Sequence, residues 1–115
     1  MKIIESKLSR KELVTDHLTV FPTMVKAVVD VENELIAIDA ELHADLELML
    51  LEHGSKQENL WGINMFPLKK GNGFIEYVAL INIRPTMNNN SMDIENAQIR
   101  DKIKKIVDRF IENEA

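Results

Sequence analysis

Phe74-Ile75-Glu76-Tyr77-Val78-Ala79-Leu80-Ile81-Asn82-Ile83-Arg84 is the stretch on which the fold reading turns. Ile75, Tyr77, Ala79, Ile81 and Ile83 recur at every second position, which is strand periodicity. The alternate positions are apolar in the middle and polar at Asn82 and Arg84. The pattern predicts an interior strand over residues 74–84, covered by helices on one side and partly covered on the other. Upstream, Leu60 to Phe66 reads as a second strand. Pro67-Leu68-Lys69-Lys70-Gly71-Asn72-Gly73 lies between them, and its Asn-Gly step marks a hairpin. Downstream, Asn96 has the character of a helix N-cap. Ile99, Ile103, Ile106 and Phe110 then follow at helical spacing, with Val107 and Ile111 widening the stripe.

The first half adds smaller elements. Ile3-Ile4 predicts a short strand. Ser9 and Glu12 have capping-box spacing, and Leu8 and Leu13 have the spacing of a hydrophobic staple. Together they predict a helix from about Arg10 to His17. Val25, Ala27, Val29 and Val31 alternate with polar positions, and Leu35 to Ile38 follows. The intervening Glu32-Asn33-Glu34 predicts a turn in which Asn33 takes the left-handed conformation. Glu41 to His53 carries both periods, but it lacks β-branched residues and is built of helix formers. It is read as a helix with a stripe of Leu42, Leu46, Met49, Leu50 and His53, closed by Gly54. The expected fold is a single α+β domain over residues 1–115. It has a mainly antiparallel sheet of four to five strands, with two or three helices packed mostly on one face.

Composition narrows the function. The chain has 115 residues, 45% of them apolar, and no cysteine. That length suits one domain with a single core. Without cysteine there is no disulfide framework, thiolate metal site or cysteine nucleophile. The opening residues lack a signal-like apolar run, and no stretch has membrane-span length, so a soluble cytoplasmic protein is expected. The net charge is -5, and residues 30–58 hold nine acids against one base. Nucleic acid needs a basic footprint, so it is not expected as a partner.

The candidate residues each admit a plain structural alternative. Glu41, His43, Asp45 and Glu47 crowd potential ligands into seven residues. On a helix, however, His43 and Glu47 share a face at i, i+4 as a pair, and a zinc site needs three or four ligands. No metal or cofactor is therefore expected. Asn82 and Arg84 would project from one strand face roughly 7 Å apart. Arg84 offers a fork for a carboxylate or phosphate, or a structural pair with Asp45 or Glu76. Ser91 has no nucleophile signature around it. Trp61 shares a strand face with Ile63 and Met65, which makes it a core residue first and a ligand platform second.

Four stretches in order resemble a small prokaryotic family of unknown function. They are Glu41-Leu42-His43-Ala44-Asp45; Gly54-Ser55-Lys56-Gln57 leading to Leu60-Trp61-Gly62; Leu80-Ile81-Asn82-Ile83-Arg84-Pro85; and Asn90-Ser91-Met92-Asp93-Ile94. In that family a glycine pair tends to precede the first stretch, where this chain has Asp39-Ala40. The resemblance implies no activity. It does imply that Glu41, His43, Asp45, Asn82, Arg84 and Ser91 belong to a shared pattern. Two functions are in play. One is a non-enzymatic binding or regulatory module for a small molecule or protein, acting through a partly polar sheet face or the acidic surface. The other is a small, metal-assisted hydrolase with His43 and Asp45 at its centre and Arg84 holding an anionic substrate. An uncovered sheet face would also suit a homodimer.

Overall fold

The structure is a computed structural model, and it describes residues 1–112. Five strands form one sheet in the order β1 (Lys2–Ile3), β4 (Leu35–Ile38), β3 (Val25–Asp30), β5 (Leu60–Met65), β6 (Ile75–Glu76), and every neighbouring pair is antiparallel. A second, parallel pair joins β2 (Leu8–Ser9) to β7 (Ile111–Glu112), which ties the start of the chain to the end of the last helix. The described residues also form three α-helices: α1 (Arg10–His17), α2 (His43–Glu52) and α3 (Ala97–Phe110).

Alternation along the central strands decides which helix each face receives. Val25, Ala27 and Val29 of β3 join Ile36, Ile38, Trp61, Ile63 and Met65 in the larger core, closed by Leu13 of α1 and by Ile103, Ile106 and Val107 of α3. Val28, Ala37 and Leu60 face the other way, onto Leu46 and Leu50 of α2. Two helices thus share one face and the third covers the other. Burying the three α3 side chains contributes about 6 kcal/mol before chain entropy is subtracted.

The local signals behave as their chemistry requires. Ser9 caps α1 by accepting from the Glu12 N–H at 3.0 Å, and Asn96 caps α3 by accepting from Gln98 and Ile99. Leu8 and Leu13 are both buried, as a staple demands. Gly54 takes φ +109° just past α2, and Ser55 N–H returns to the Leu50 carbonyl at 2.9 Å. Two local expectations change. The left-handed residue of the β3–β4 turn is Glu34 (φ +56°), because Asn33 is held instead by Asp30, to which it donates from both its backbone and its side chain. Leu42 and His53 are not part of the buried stripe of α2: Leu42 precedes the helix and is 54% exposed, His53 follows it and is exposed, while His43 points inward.

The largest correction concerns residues 74–84, which are not an interior strand. Only Ile75 and Glu76 pair with β5, opposite Met65 and Asn64. The chain then leaves the sheet, makes short 3₁₀ turns at Leu80–Asn82 and Pro85–Met87, and returns to α3 through isolated bridges Val78–Asp93 and Arg84–Asn89. The alternating apolar residues are shared out rather than lined up. Ile75 and Tyr77 pack on the larger core, Ile81 packs on the α2 core, and Ile83 is exposed.

Candidate functional site

Because β6 is so short, the outer edge of β5 from Leu60 to Ile63 has no strand partner. The side chain of Asn82 takes that place. Its Oδ1 accepts from the Gly62 N–H at 2.8 Å and its Nδ2 donates to the Gly62 carbonyl at 2.9 Å. A primary amide carries a donor and an acceptor in one plane, as a peptide group does, so it can close a ladder position that a backbone would otherwise fill. Asn82 Nδ2 also donates to the Met92 carbonyl at 3.1 Å. Asn89 extends the arrangement. Its Nδ2 reaches the carbonyls of Asn82, Ser91 and Asp93 at 2.7 to 3.0 Å, and its Oδ1 accepts from Glu95 N–H at 2.9 Å. Asn82 is fully buried and Asn89 nearly so. The two amides therefore supply the hydrogen bonds that a loop of this length needs when it lies against a core.

His43 opens α2 and packs on the same edge. Its Nε2 lies 2.8 Å from the Ile63 carbonyl, and since a carbonyl only accepts, Nε2 carries the proton. Burial is the main force on the ring and lowers its pKa; the positive charge of Lys26 acts in the same direction, against the Ile63 carbonyl. A folded-state pKa below the unfolded value means that the neutral ring supports the fold. Its contribution is complete above about pH 6.5 and is lost as pH falls toward the folded value. Urea titrations are expected to show stability falling below that pH, with part of the loss removed in His43→Gln, whose amide can still donate to Ile63. An unchanged pH slope in the variant would contradict this origin.

Arg84 is a clamp. It pairs with Glu47 of α2 at 3.1 Å, donates to the Gln57 carbonyl at 2.9 Å, and stacks its guanidinium 5.1 Å from the Trp61 ring centre. Its partner is Glu47, not Asp45 or Glu76, because the loop rises over α2 where the second turn presents Glu47. Both side chains are largely buried, so the pair fixes the loop against the helix more than it offers charge to a ligand. Trp61 itself is buried in the larger core. Ser91 donates to Glu95 at 2.9 Å, and this bond, with the backbone N–H groups of Asn90 and Ser91, holds the Glu95 carboxyl below the usual range.

Of the seven expected site residues, His43, Trp61, Asn82 and Arg84 gather along the open edge of β5. Ser91 is connected to them through Asn89. Glu41 and Asp45 stand apart, exposed at the start of α2. Of the proposed hydrolase set, His43 donates from Nε2 to a carbonyl, Arg84 pairs with a carboxylate, and Asp45 faces solvent. Among the described residues, no three His, Asp or Glu side chains converge as metal ligands would.

Several features lay beyond the sequence reading. Asp30 is fully buried. It accepts from Glu32 N–H, Asn33 N–H, Asn33 Nδ2 and Ser55 Oγ, the last at 2.6 Å. Burial alone would raise its pKa, and these donors together outweigh it and bring the pKa down. An aspartate at the mouth of a turn with Asn three residues on was a legible signal for this. His17 Nδ1 lies 2.8 Å from Asp39 Oδ2 across 22 residues, which no local pattern shows. Asp39 holds φ +76°, the glycine-favouring region, at the position where the resembled family tends to carry glycine.

A surface cleft of about 510 Å³ lies elsewhere, between α1, the Phe74–Tyr77 segment and the α3–β7 junction. Arg10, Phe74, Tyr77, Lys104, Asp108 and Ile111 line it. Arg10 stacks 4.0 Å above the Phe74 ring centre.

A family model described as Protein of unknown function (DUF5674) matches residues 2–110, and the chain belongs to that family. Comparison with curated proteins and with solved structures gave no match.

Proposed function

We propose, since membership of this family brings no activity with it, that the chain is a non-enzymatic binding or regulatory module. The observation that carries this reading is the commitment of the reactive side chains. His43 Nε2, both amide atoms of Asn82 and both Nη groups of Arg84 bond to the scaffold, at the Ile63 carbonyl, Gly62, the Gln57 carbonyl and Glu47. A general base or an anion grip needs a free polar edge within hydrogen-bonding reach of a substrate, and these contacts leave His43 Nδ1 as the one candidate base among them. The Arg10 cleft has the size of small-molecule sites, roughly 300–1,000 Å³, and mixes aromatic, aliphatic and charged walls. The place of action is the cytoplasm, and the partner is a small molecule rather than nucleic acid. Helices cover both faces of the sheet, and exposed apolar residues such as Leu80 and Ile83 would suit a homodimer.

Assays with p-nitrophenyl esters and p-nitrophenyl phosphate, with and without added divalent cations, are expected to show no rate that depends on His43. A rate above buffer that is lost in both His43→Gln and Arg84→Lys, with both variants folded by circular dichroism, would overturn the reading.

A further inference from the structure

We propose that the Arg10 cleft is a binding site for a small monocarboxylate with an apolar or aromatic body. This rests on the binding-module reading and gives it a ligand class.

The argument begins with Arg10. Its Nη1 donates to the Lys69 carbonyl at 2.8 Å, and its plane is fixed by stacking on Phe74. Its Nε is buried with no hydrogen-bond partner among the described residues. An arginine held at one Nη and stacked on a ring has a set orientation, and with Nε sealed from solvent it is Nη2 that remains for a ligand. A guanidinium N–H makes a short, charge-assisted bond to a carboxylate oxygen.

Charge selects among oxyanions. Lys104 and Asp108 pair at 2.7 Å within the lining and cancel, which leaves the guanidinium as the net charge of the cleft. A single positive charge suits a monoanion better than a phosphate monoester, which carries close to two negative charges at neutral pH. Tyr77 adds a phenol donor. Burial, its first influence, keeps the hydroxyl protonated beyond its ordinary range, against the pull of Lys104 and Arg100. Phe74, Ile75 and Ile111 supply the apolar wall for the rest of the ligand. The site thus gathers, on an acidic protein, one oriented cationic group, a neutral donor and an oily floor.

The test is a thermal-shift and calorimetric titration of the full chain with indole-3-acetate, benzoate and octanoate. The matched primary amides and phenyl phosphate serve as comparators. At least one carboxylate is expected to saturate and to raise Tm by about 5 °C at concentrations far above its Kd. Its amide should bind at least about tenfold more weakly, because the charge-assisted bond is lost. Arg10→Gln is expected to raise the Kd by about tenfold or more, and its fold is checked by near-ultraviolet dichroism. Lys104→Gln provides a second variant at an exposed helix position. It leaves Asp108 unpaired beside the ligand, so it should weaken carboxylate binding while leaving the apo Tm nearly unchanged. The proposal is overturned if no carboxylate shifts Tm up to about 10 mM, if amides bind as well as acids, if phenyl phosphate binds more tightly, or if folded Arg10→Gln binds like the parent. None of these outcomes touches the turnover assay, so the two readings fail separately.

Discussion

Asn82→Ala is expected to lower the unfolding free energy by about 3–4 kcal/mol, read by urea denaturation followed by circular dichroism. The substitution removes three hydrogen bonds, to Gly62 N–H, Gly62 carbonyl and Met92 carbonyl. It adds no group to replace them, at a residue with no solvent exposure. Gly62 is itself buried, so water cannot take over. Each unpaired buried group costs about 1–3 kcal/mol, which is a large share of the 5–15 kcal/mol typical of a whole domain. Asn82→Asp separates hydrogen bonding from shape. It keeps an acceptor for Gly62 N–H but turns both donors into negative oxygen facing two carbonyls. At neutral pH it is expected to be worse than alanine, and to recover partly in acid as the carboxyl protonates and regains a donor. A loss under about 1 kcal/mol for Asn82→Ala would show that the amide does not substitute for a strand.

This residue also shows where the sequence stops informing. Residues 74–84 alternate as a strand should, and the hairpin that leads into them is real, with Phe66 N–H bonded to the Phe74 carbonyl at 2.8 Å. The alternation does not reveal that an asparagine from the same stretch will occupy the vacant edge of β5 and turn the backbone away. That event depends on Gly62, 20 residues earlier. Signals confined to a few neighbours fared better. The Ser9 cap, the Asn96 cap, the Gly54 stop and the α3 stripe are all local, and each is found in the structure. The balance of propensity over alternation in Glu41–His53 correctly indicated α2.

The candidate site divides in the same way. His43, Asn82, Arg84 and Trp61 were legible as polar or aromatic residues placed where apolar ones would be simpler, and they do gather. Their role was not legible, because a buried polar residue gives the same sequence signal whether it serves a substrate or a backbone. Asp45 shows the opposite error. Its position two residues after His43 suggested partnership, but on a helix that spacing turns the side chains about 200° apart. The Arg10 cleft was hidden because its walls come from three distant segments. Arg10 itself reads only as the first residue of a capped helix.

Gly62→Ala is expected to destabilise the protein by about 3 kcal/mol, for a reason independent of backbone conformation. A Cβ at this position would sit 2.5 Å from the Ala79 Cβ, 3.1 Å from Ile81 Cγ1 and 3.2 Å from His43 Cδ2. Ile81 can rotate, but the Ala79 Cβ is fixed to its backbone, so the loop must withdraw. Withdrawal stretches the Asn82–Gly62 pair, and the added methyl therefore weakens hydrogen bonds that it does not touch. The close approach makes a definite demand of a double mutant: Ala79→Gly deletes the atom that the new methyl strikes. In the Gly62→Ala background it is expected to restore about 1–2 kcal/mol, whereas in the parent it should only destabilise, by lost packing and added chain entropy. Urea midpoints for the four proteins of this cycle give the coupling directly. A coupling near zero would mean that the loop already stands off from β5, and the amide of Asn82 could not then be closing the sheet.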